Sequence, residues 1–462
     1  MHQDRAHPIV VLLVAIAIVA GCASSVPTAT LVVTTQNASP APTPTRHPSP
    51  TSASATHTPT PTALPSPSPG GSANTADLGL PVIVAPPGAV HSMPSRSWMA
   101  SWGPHVYGVE SADGGLRVVH VDVSRGRTAT TVVRPNALIA RYGSDPPYGF
   151  ADVPTILAAD GGWLALVVWR RLGPRVEPGS VPCVGDEDQP IKWRLLVAPL
   201  DPKDGEVAGA FTLLDQGTNR QLFGLPAQGE GCVGPRTPRV SVSDGRIAYT
   251  REDSRAGHPV ASRIVVRALP GGAIVRQLRR PDQVVYVRLS GDSLAFTESD
   301  NGERNPRWAV RVSTAAHPDP VEIVASAAYP DFLAPPIIAL DDDLLVWQVP
   351  SAVEQGVWAS RLGSAPQRLP TGGLACLLGG VTSGWIGLGC LATGGVPGEA
   401  RPVFAALWSA STGLRQLTGL PADTIDAEPS MAGGWLVASG VSTTDHARAL
   451  FGVRLDALRA VP

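Results

Sequence analysis

Residues 240–250 read VSVSDGRIAYT. Asp244-Gly245 is the kind of two-residue turn that accepts positive φ, and its flanks are β-branched, small or aromatic, so the stretch predicts a tight hairpin. The same shape returns as ILAADGGWLALVVW (156–169), VRLSGDSLAFT (287–297), IIALDDDLLVWQV (337–349), LLGGVTSGWIGLG (377–389) and PSMAGGWLVASGV (429–441). An earlier copy, Ser97–Ser101 with Val106–Val109, lacks the Asp/Gly turn.

A second pair of strands follows each hairpin after a polar loop. These pairs read VVHVDVSRGRTATTVV (118–133), LLVAPLDPKDGEVAGAFTLL (195–214), IVVRALPGGAIVRQL (264–278), AVRVSTAAHPDPVEIV (309–324), VWASRLGSAPQRL (357–369), AALWSASTGLRQLT (405–418) and LFGVRLDALRAV (450–461). With Val121, Ala198, Val266, Val310, Trp358, Leu407 and Val453 as equivalents, the spacings are 77, 68, 44, 48, 49 and 46. A four-stranded antiparallel unit repeated at that period predicts an all-β chain folded as a β-propeller, of seven blades, with six or eight as alternatives. Residues 80–85 (LPVIVA) are the candidate for the outermost strand of blade seven, which would join the last blade to the start of the chain.

The repeats resemble the TolB-type, WD-repeat-like propellers of bacterial envelopes. The resemblance is carried by Ser243-Asp244-Gly245-Arg246-Ile247-Ala248-Tyr249 and by Gly413-Leu414-Arg415-Gln416-Leu417-Thr418, which matches the family's Gly-x-x-x-x-Leu-Thr close. It covers about 97–460 at the level of the repeat, and it implies a fold and a habit of binding proteins, not a reaction. The N-terminal α/β domain of TolB has no counterpart, so that protein's outer-membrane partners are not carried over.

What precedes the repeats reads as an address and a spacer. Ile9–Ala20 is an unbroken apolar run of twelve, too short as a helix for a bilayer core of about 30 Å, so it reads as a signal-peptide core. It ends in Val19-Ala20-Gly21-Cys22, which resembles the bacterial lipobox and implies diacylglycerol on Cys22 and cleavage before it; an ordinary secretory signal is the alternative. Residues 23–76 are Ser/Thr/Pro/Ala with eleven prolines from Pro27 to Pro69. Proline fixes φ and removes donors, so this segment predicts an extended tether. The expected division is 1–21 signal peptide, 22–79 lipidated cysteine and linker, 80–462 propeller. The expected location is the bacterial cell envelope, outside the cytoplasm and attached to the membrane through Cys22.

Composition excludes several classes. Lys+Arg number 36 against Asp+Glu 38, which leaves no cationic surplus for nucleic acid. The two lysines, Lys192 and Lys203, do not follow glycine, so no phosphate-binding P-loop exists. The ten histidines and five cysteines lack HExxH or CxxC spacing, so neither metal nor cofactor is expected. No GxSxG elbow or Ser-x-x-Lys motif is present.

With Cys22 assigned to lipid, four cysteines remain in an oxidising compartment. Cys376 and Cys390 are each seven residues from Ser383, the centre of a hairpin, so they face one another; Cys183 and Cys232 lie in connections expected on one face of the ring. The expected bridges are 183–232 and 376–390, against free buried thiols.

The turns within hairpins are short, whereas the loops after each second strand (about 170–191, 251–262, 298–306, 350–356, 391–402 and 441–448) are long and polar. Loops on a rigid scaffold commonly carry binding residues. The candidate face therefore holds Arg170, Arg171, Asp186, Glu187, Asp188, Arg251, Asp253, His258, Asp300, Glu303, Arg304, Glu399, Arg401, Asp445 and His446. Taken singly, these read as ordinary solvated loop charges; it is the face as a whole that is the candidate. Asp341-Asp342-Asp343 reads as a polar turn, and the recurrent Trp residues read as inter-blade packing. The expected function is a monomeric, non-catalytic module that binds an envelope protein or polymer. A glycan-active hydrolase or lyase with carboxylates at the channel mouth is the alternative.

Overall fold

The computed structural model describes residues 78–460, apart from 95–99, 113–114, 127–129, 134–152, 172–189, 221–236, 256–257, 300–306, 326–335, 350–355, 392–402, 423, 427–428 and 442–447. All of them belong to the compact unit Gly70–Pro462. The chain is an all-β propeller. Five separate four-stranded sheets follow one another. Their first strands are Ala100–Trp102, Val153–Asp160, Val240–Ser243, Gln283–Ser290 and Ile337–Asp341. An eleven-stranded sheet holds two further four-stranded arrays. One is Ala375–Thr382, Trp385–Leu391, Val403–Ser409 and Gly413–Thr418. The other is Ser430–Ala432, Trp435–Val441, Arg448–Arg454 and Val90–Pro94. The short strand Thr424–Ile425 joins them by pairing with both.

The expected closure is corrected in its residues. Val90–Pro94, not 80–85, pairs antiparallel with Arg448–Arg454 as the outermost strand of blade seven. Val82–Val84 instead lies parallel to Gln416–Thr418 on the outside of blade six, and Arg459–Ala460 pairs with its other edge.

The ring follows from how the strand sequences divide their side chains. Successive residues of a strand face opposite sides of the sheet. In Ser293–Ser299, Leu294 and Phe296 join the cluster with Val266 and Val287, whereas Ala295 joins the cluster with Ile338 and Trp347. In Leu344–Val349, Leu345 and Trp347 face back to blade four while Val346 packs on Leu378 and Phe404 of blade six. Both faces are buried, so the middle strands are apolar at nearly every position instead of alternating. Seven such clusters link the blades in succession, and the last joins Val437 and Leu450 of blade seven to Val106 and Val121 of blade one.

Four hairpin turns carry positive φ at both central residues, as in Asp244-Gly245 (47° and 69°) and Ser383-Gly384 (51° and 75°), whereas Gly103-Pro104, Gly291-Asp292 and Asp342-Asp343 do so at the first alone; both are mirror-image geometries that match strand twist. The serines around them serve the neighbouring blade. Ser241 and Ser243 hydroxyls accept from the Leu289 and Gly291 amides, Ser290 from the Asp342 amide, and Thr382 from the Gly434 amide. The ring closes with Ser430 against Ser101, 2.8 Å between hydroxyls. The Ser-Asp-Gly motif thus combines a turn with an inter-blade latch. The buried Leu289 amide gains its acceptor in this way, and the less buried amides of Gly291, Asp342 and Gly434 are tied across the junctions by the same device.

Cys376 and Cys390 are directly opposite in blade six and form a disulfide. Cys22, Cys183 and Cys232 lie outside the described residues.

Candidate functional site

The first strands of all seven blades line one central channel of about 500 Å³. Each hairpin has a last residue pair before its turn, so the strands can be compared level by level. Two residues before the turn stand Ala100, Ala158, Ser241, Arg288, Ala339, Gly380 and Ser430, all lining the channel. Six are small. Arg288 therefore projects among side chains that leave it room.

One level higher, at the turns, the lining turns acidic with Asp160, Asp244, Asp341 and Asp342, from blades two, three and five. The neighbouring turn carboxylates are neutralised, Asp292 by Arg246 and Asp343 by Arg361. The four lining the channel have no cation partner among the described residues. Asp160 accepts from the Gly161 amide at 2.8 Å, and Ser243 donates to Asp244 at 3.1 Å. Burial pushes the Asp160 carboxyl up to about 6, and the charges of Asp244 and Asp341 add to the rise. Asp341 is raised by burial and by Asp342, against the pull of the Ser383 and Gly384 amides.

Among the described residues, Arg288 is the one cation that lines this channel. Its Nη1 donates to the Val287 carbonyl at 3.0 Å, and among the described residues it makes no other hydrogen bond and no ion pair. Its remaining donors are not among the sealed, unpartnered atoms, so they face the open channel. Burial lowers its pKa, and the charge of Arg239 acts in the same direction.

The long-loop face lies mostly beyond the described residues: Asp186, Glu187, Asp188, Asp300, Glu303, Arg304, Glu399, Arg401, Asp445 and His446 fall there. Arg170 and Arg171 end the strand Trp163–Arg171. The loop expected over 251–262 is corrected to a long hairpin, because the strands Arg246–Arg255 and His258–Ala268 run to its tip. Asp253 and His258 therefore occupy strands. Arg251 ties blades together, 3.2 Å from Asp215 and over the Trp193 ring at 5.8 Å. Glu298, expected to begin a loop, is buried on a strand and accepts from Arg280 at 2.8 and 3.0 Å and from Arg311. Two guanidiniums on one sealed carboxylate make it a structural tie between blades three and four.

Blade one carries a second buried polar group. His120 Nε2 lies 3.2 Å from His105 Nδ1, Tyr107 stacks on His120, and the Tyr107 hydroxyl donates to the Gly205 carbonyl of blade two at 2.7 Å. Burial and the neighbouring His105 hold His120 down to about 4, and burial lowers His105 as well. A cleft of about 560 Å³ borders the connection from blade five to blade six, with Arg368 its one charged lining residue.

No family model matches this chain, and no curated protein matches it. Among solved structures it is similar to the β-propeller domain of the Trilobed protease from Pyrococcus furiosus, at 8% identity and TM-score 0.46, covering 79% of this chain and 93% of that one. It is similar also to a prolyl endopeptidase (12% identity, TM-score 0.44, 84% of this chain and 52% of that one). Pyrococcus horikoshii acylaminoacyl peptidase is a third (9% identity, TM-score 0.45, 78% of this chain and 51% of that one). The chain spans about half the length of these two peptidases. The propeller neighbours are mostly peptidases, at identities that bear on fold alone.

Sequence reasoning placed the charged site on the long loops and read Asp341-Asp342-Asp343 only as a polar turn. The signal that finds the channel charges is positional. Alignment of the hairpins on their turns sets Arg288 in a column of alanine, serine and glycine, and repeated turn carboxylates in a closed ring must converge on its axis.

Proposed function

We propose that this chain is a lipid-anchored protein of the bacterial envelope whose propeller binds a ligand at its central channel. The observation that carries the binding reading is the set of unpaired charges facing the channel, Asp160, Asp244, Asp341 and Asp342 at one level and Arg288 below them. Unpaired charges at an enclosed surface lower stability, and such groups are commonly kept for a ligand. The envelope address rests on the lipobox-like Val19-Ala20-Gly21-Cys22 and the TolB-type repeats. Replacement of Cys22 by serine is expected to release the protein from the membrane fraction; retention there overturns the anchor.

Binding is tested by crosslinking capture from native membranes. The intact chain is compared with a variant whose 184–190 loop is Gly/Ser and with Asp160→Asn/Asp341→Asn. Loss of a specific partner in the aspartate variant supports the channel, and loss in the loop variant supports the long-loop face. Identical capture by all three rejects both sites.

One observation favours a second reading, glycan cleavage at the same mouth. Burial and the carboxylates of Asp244 and Asp341 from other blades raise Asp160 to about 6, toward the range in which a carboxyl serves as general acid. Release of reducing sugar from envelope glycans that disappears in Asp160→Asn would establish it.

A further inference from the structure

We infer that the channel takes a small zwitterion, a short peptide with free termini, its carboxylate on Arg288 and its ammonium among the turn aspartates. The inference rests on the channel-binding reading and names the ligand class. Arg288 stands alone at a level where the other six blades carry only alanine, serine or glycine, so the cavity around it is unfilled by protein. A guanidinium with one backbone bond and open donors is matched by a planar, bidentate oxyanion. The hydroxyls of Ser241 and Ser290, each accepting from the adjacent blade, keep their protons free for the same anion.

The turn carboxylates decide which oxyanion enters. Asp160, Asp244, Asp341 and Asp342 give that end of the channel a negative field, and none of the four has an ion-pair partner among the described residues. A multiply charged phosphate is repelled there, whereas a molecule that brings a cation with its carboxylate satisfies both levels. The levels are two residues apart along the strand, about 7 Å. A peptide chain extends about 3.3–3.6 Å per residue, so two residues span the gap. The hairpins that hold these groups are latched to each other, so the site is preformed.

The test is calorimetric titration of the full chain with dialanine, with N-acetyl-dialanine, dialanine amide and inorganic phosphate as comparisons, on the wild type and Arg288→Gln. Saturable binding of dialanine, weakened by about tenfold or more when either terminus is blocked, is expected. Arg288→Gln is expected to lose dialanine binding by a similar factor while its melting temperature stays equal or rises, because an unpaired enclosed charge has been removed. A purely structural arginine would instead lower the melting temperature. No saturable dialanine binding by the wild type, or undiminished binding by Arg288→Gln, overturns the inference. Phosphate binding as tight as dialanine overturns the zwitterion in favour of a bare anion site. Membrane capture that persists while dialanine fails removes the ligand class alone; capture and dialanine failing together removes the channel reading as well.

Discussion

At the scale of the residue, two buried groups titrate in opposite directions. His120 falls from 6.5 in the free side chain to about 4 in the fold, and Asp160 rises from 3.8 to about 6. Below 6.5 the unfolded chain carries a proton on His120 that the folded chain takes up only near 4, so acidification through that window destabilises. Asp160 binds its proton first in the folded chain, so acidification between about 6 and 3.8 stabilises, and the raised Asp341 acts likewise. Each of the two large shifts is limited to about 3 kcal/mol, so they largely offset one another in the native chain. Urea unfolding at about pH 7, 5 and 4 separates them. Asp160→Asn is expected to lose stability more steeply on acidification than the wild type, and His120→Gln to flatten or reverse the slope. The opposite ranking of slopes would show that these two carboxyl and imidazole groups do not control the profile.

The hairpin is the element on which the fold and the channel both depend, and two glycines in equivalent turns distinguish its roles. Gly161 has φ +56°, and a Cβ there would lie 2.7 Å from the Asp244 backbone nitrogen of the next blade. Gly245 has φ +69° with nothing within 4 Å. Gly245→Ala is expected to cost about 1–2 kcal/mol from the left-handed backbone alone. Gly161→Ala adds a clash between blades and is expected to cost distinctly more, about 3 kcal/mol or above. Denaturant midpoints of the two variants check this, and equal losses would mean the turns do not touch. The hairpins themselves were legible because Asp-Gly turns between β-branched flanks leave few alternatives. Blade one, with its Gly103-Pro104 turn, fitted the same frame although its motif is missing. The extension of Arg246–Arg255 and His258–Ala268 was not legible, because Arg, Glu, Asp and Ser at a strand tip look the same as a loop. Glu298 was hidden for a related reason: its arginine partners, Arg280 and Arg311, sit on other strands and cannot be paired by spacing. Arg288 was visible in the text of the repeat, yet only a closed ring gives its column a meaning.

For the whole molecule, the seam is the decisive structure. Val82–Val84 is flanked on both edges, and Ile83 is 2% exposed, so it looks like a strand in sequence. Val90–Pro94 closes blade seven from the outside, where one face needs little apolar character and a terminal proline is tolerated, so VHSMP carries almost no strand signal. Leu78 packs between blades five and six. Removal of residues 1–77 is expected to move Tm by no more than about 2 °C, whereas removal of 1–94 is expected to lower it by about 10 °C or more. Scanning calorimetry of the two truncations checks this; matching Tm values would show that the seam adds nothing.

The pairing of Val90 with Val453 also sets a timetable for biogenesis. The strand that closes the ring is synthesised ahead of all seven blades it helps to close and its partner belongs to the last of them, so every blade must be made before the circle can exist. Until then Val106 and Val121 have no Val437 or Leu450 to cover them, and the nascent chain shows an oily flank at each end. A holdase that keeps the chain extended until Arg448–Arg454 has been made protects that interval, and a chain stalled before that strand leaves both flanks open to stick to other molecules.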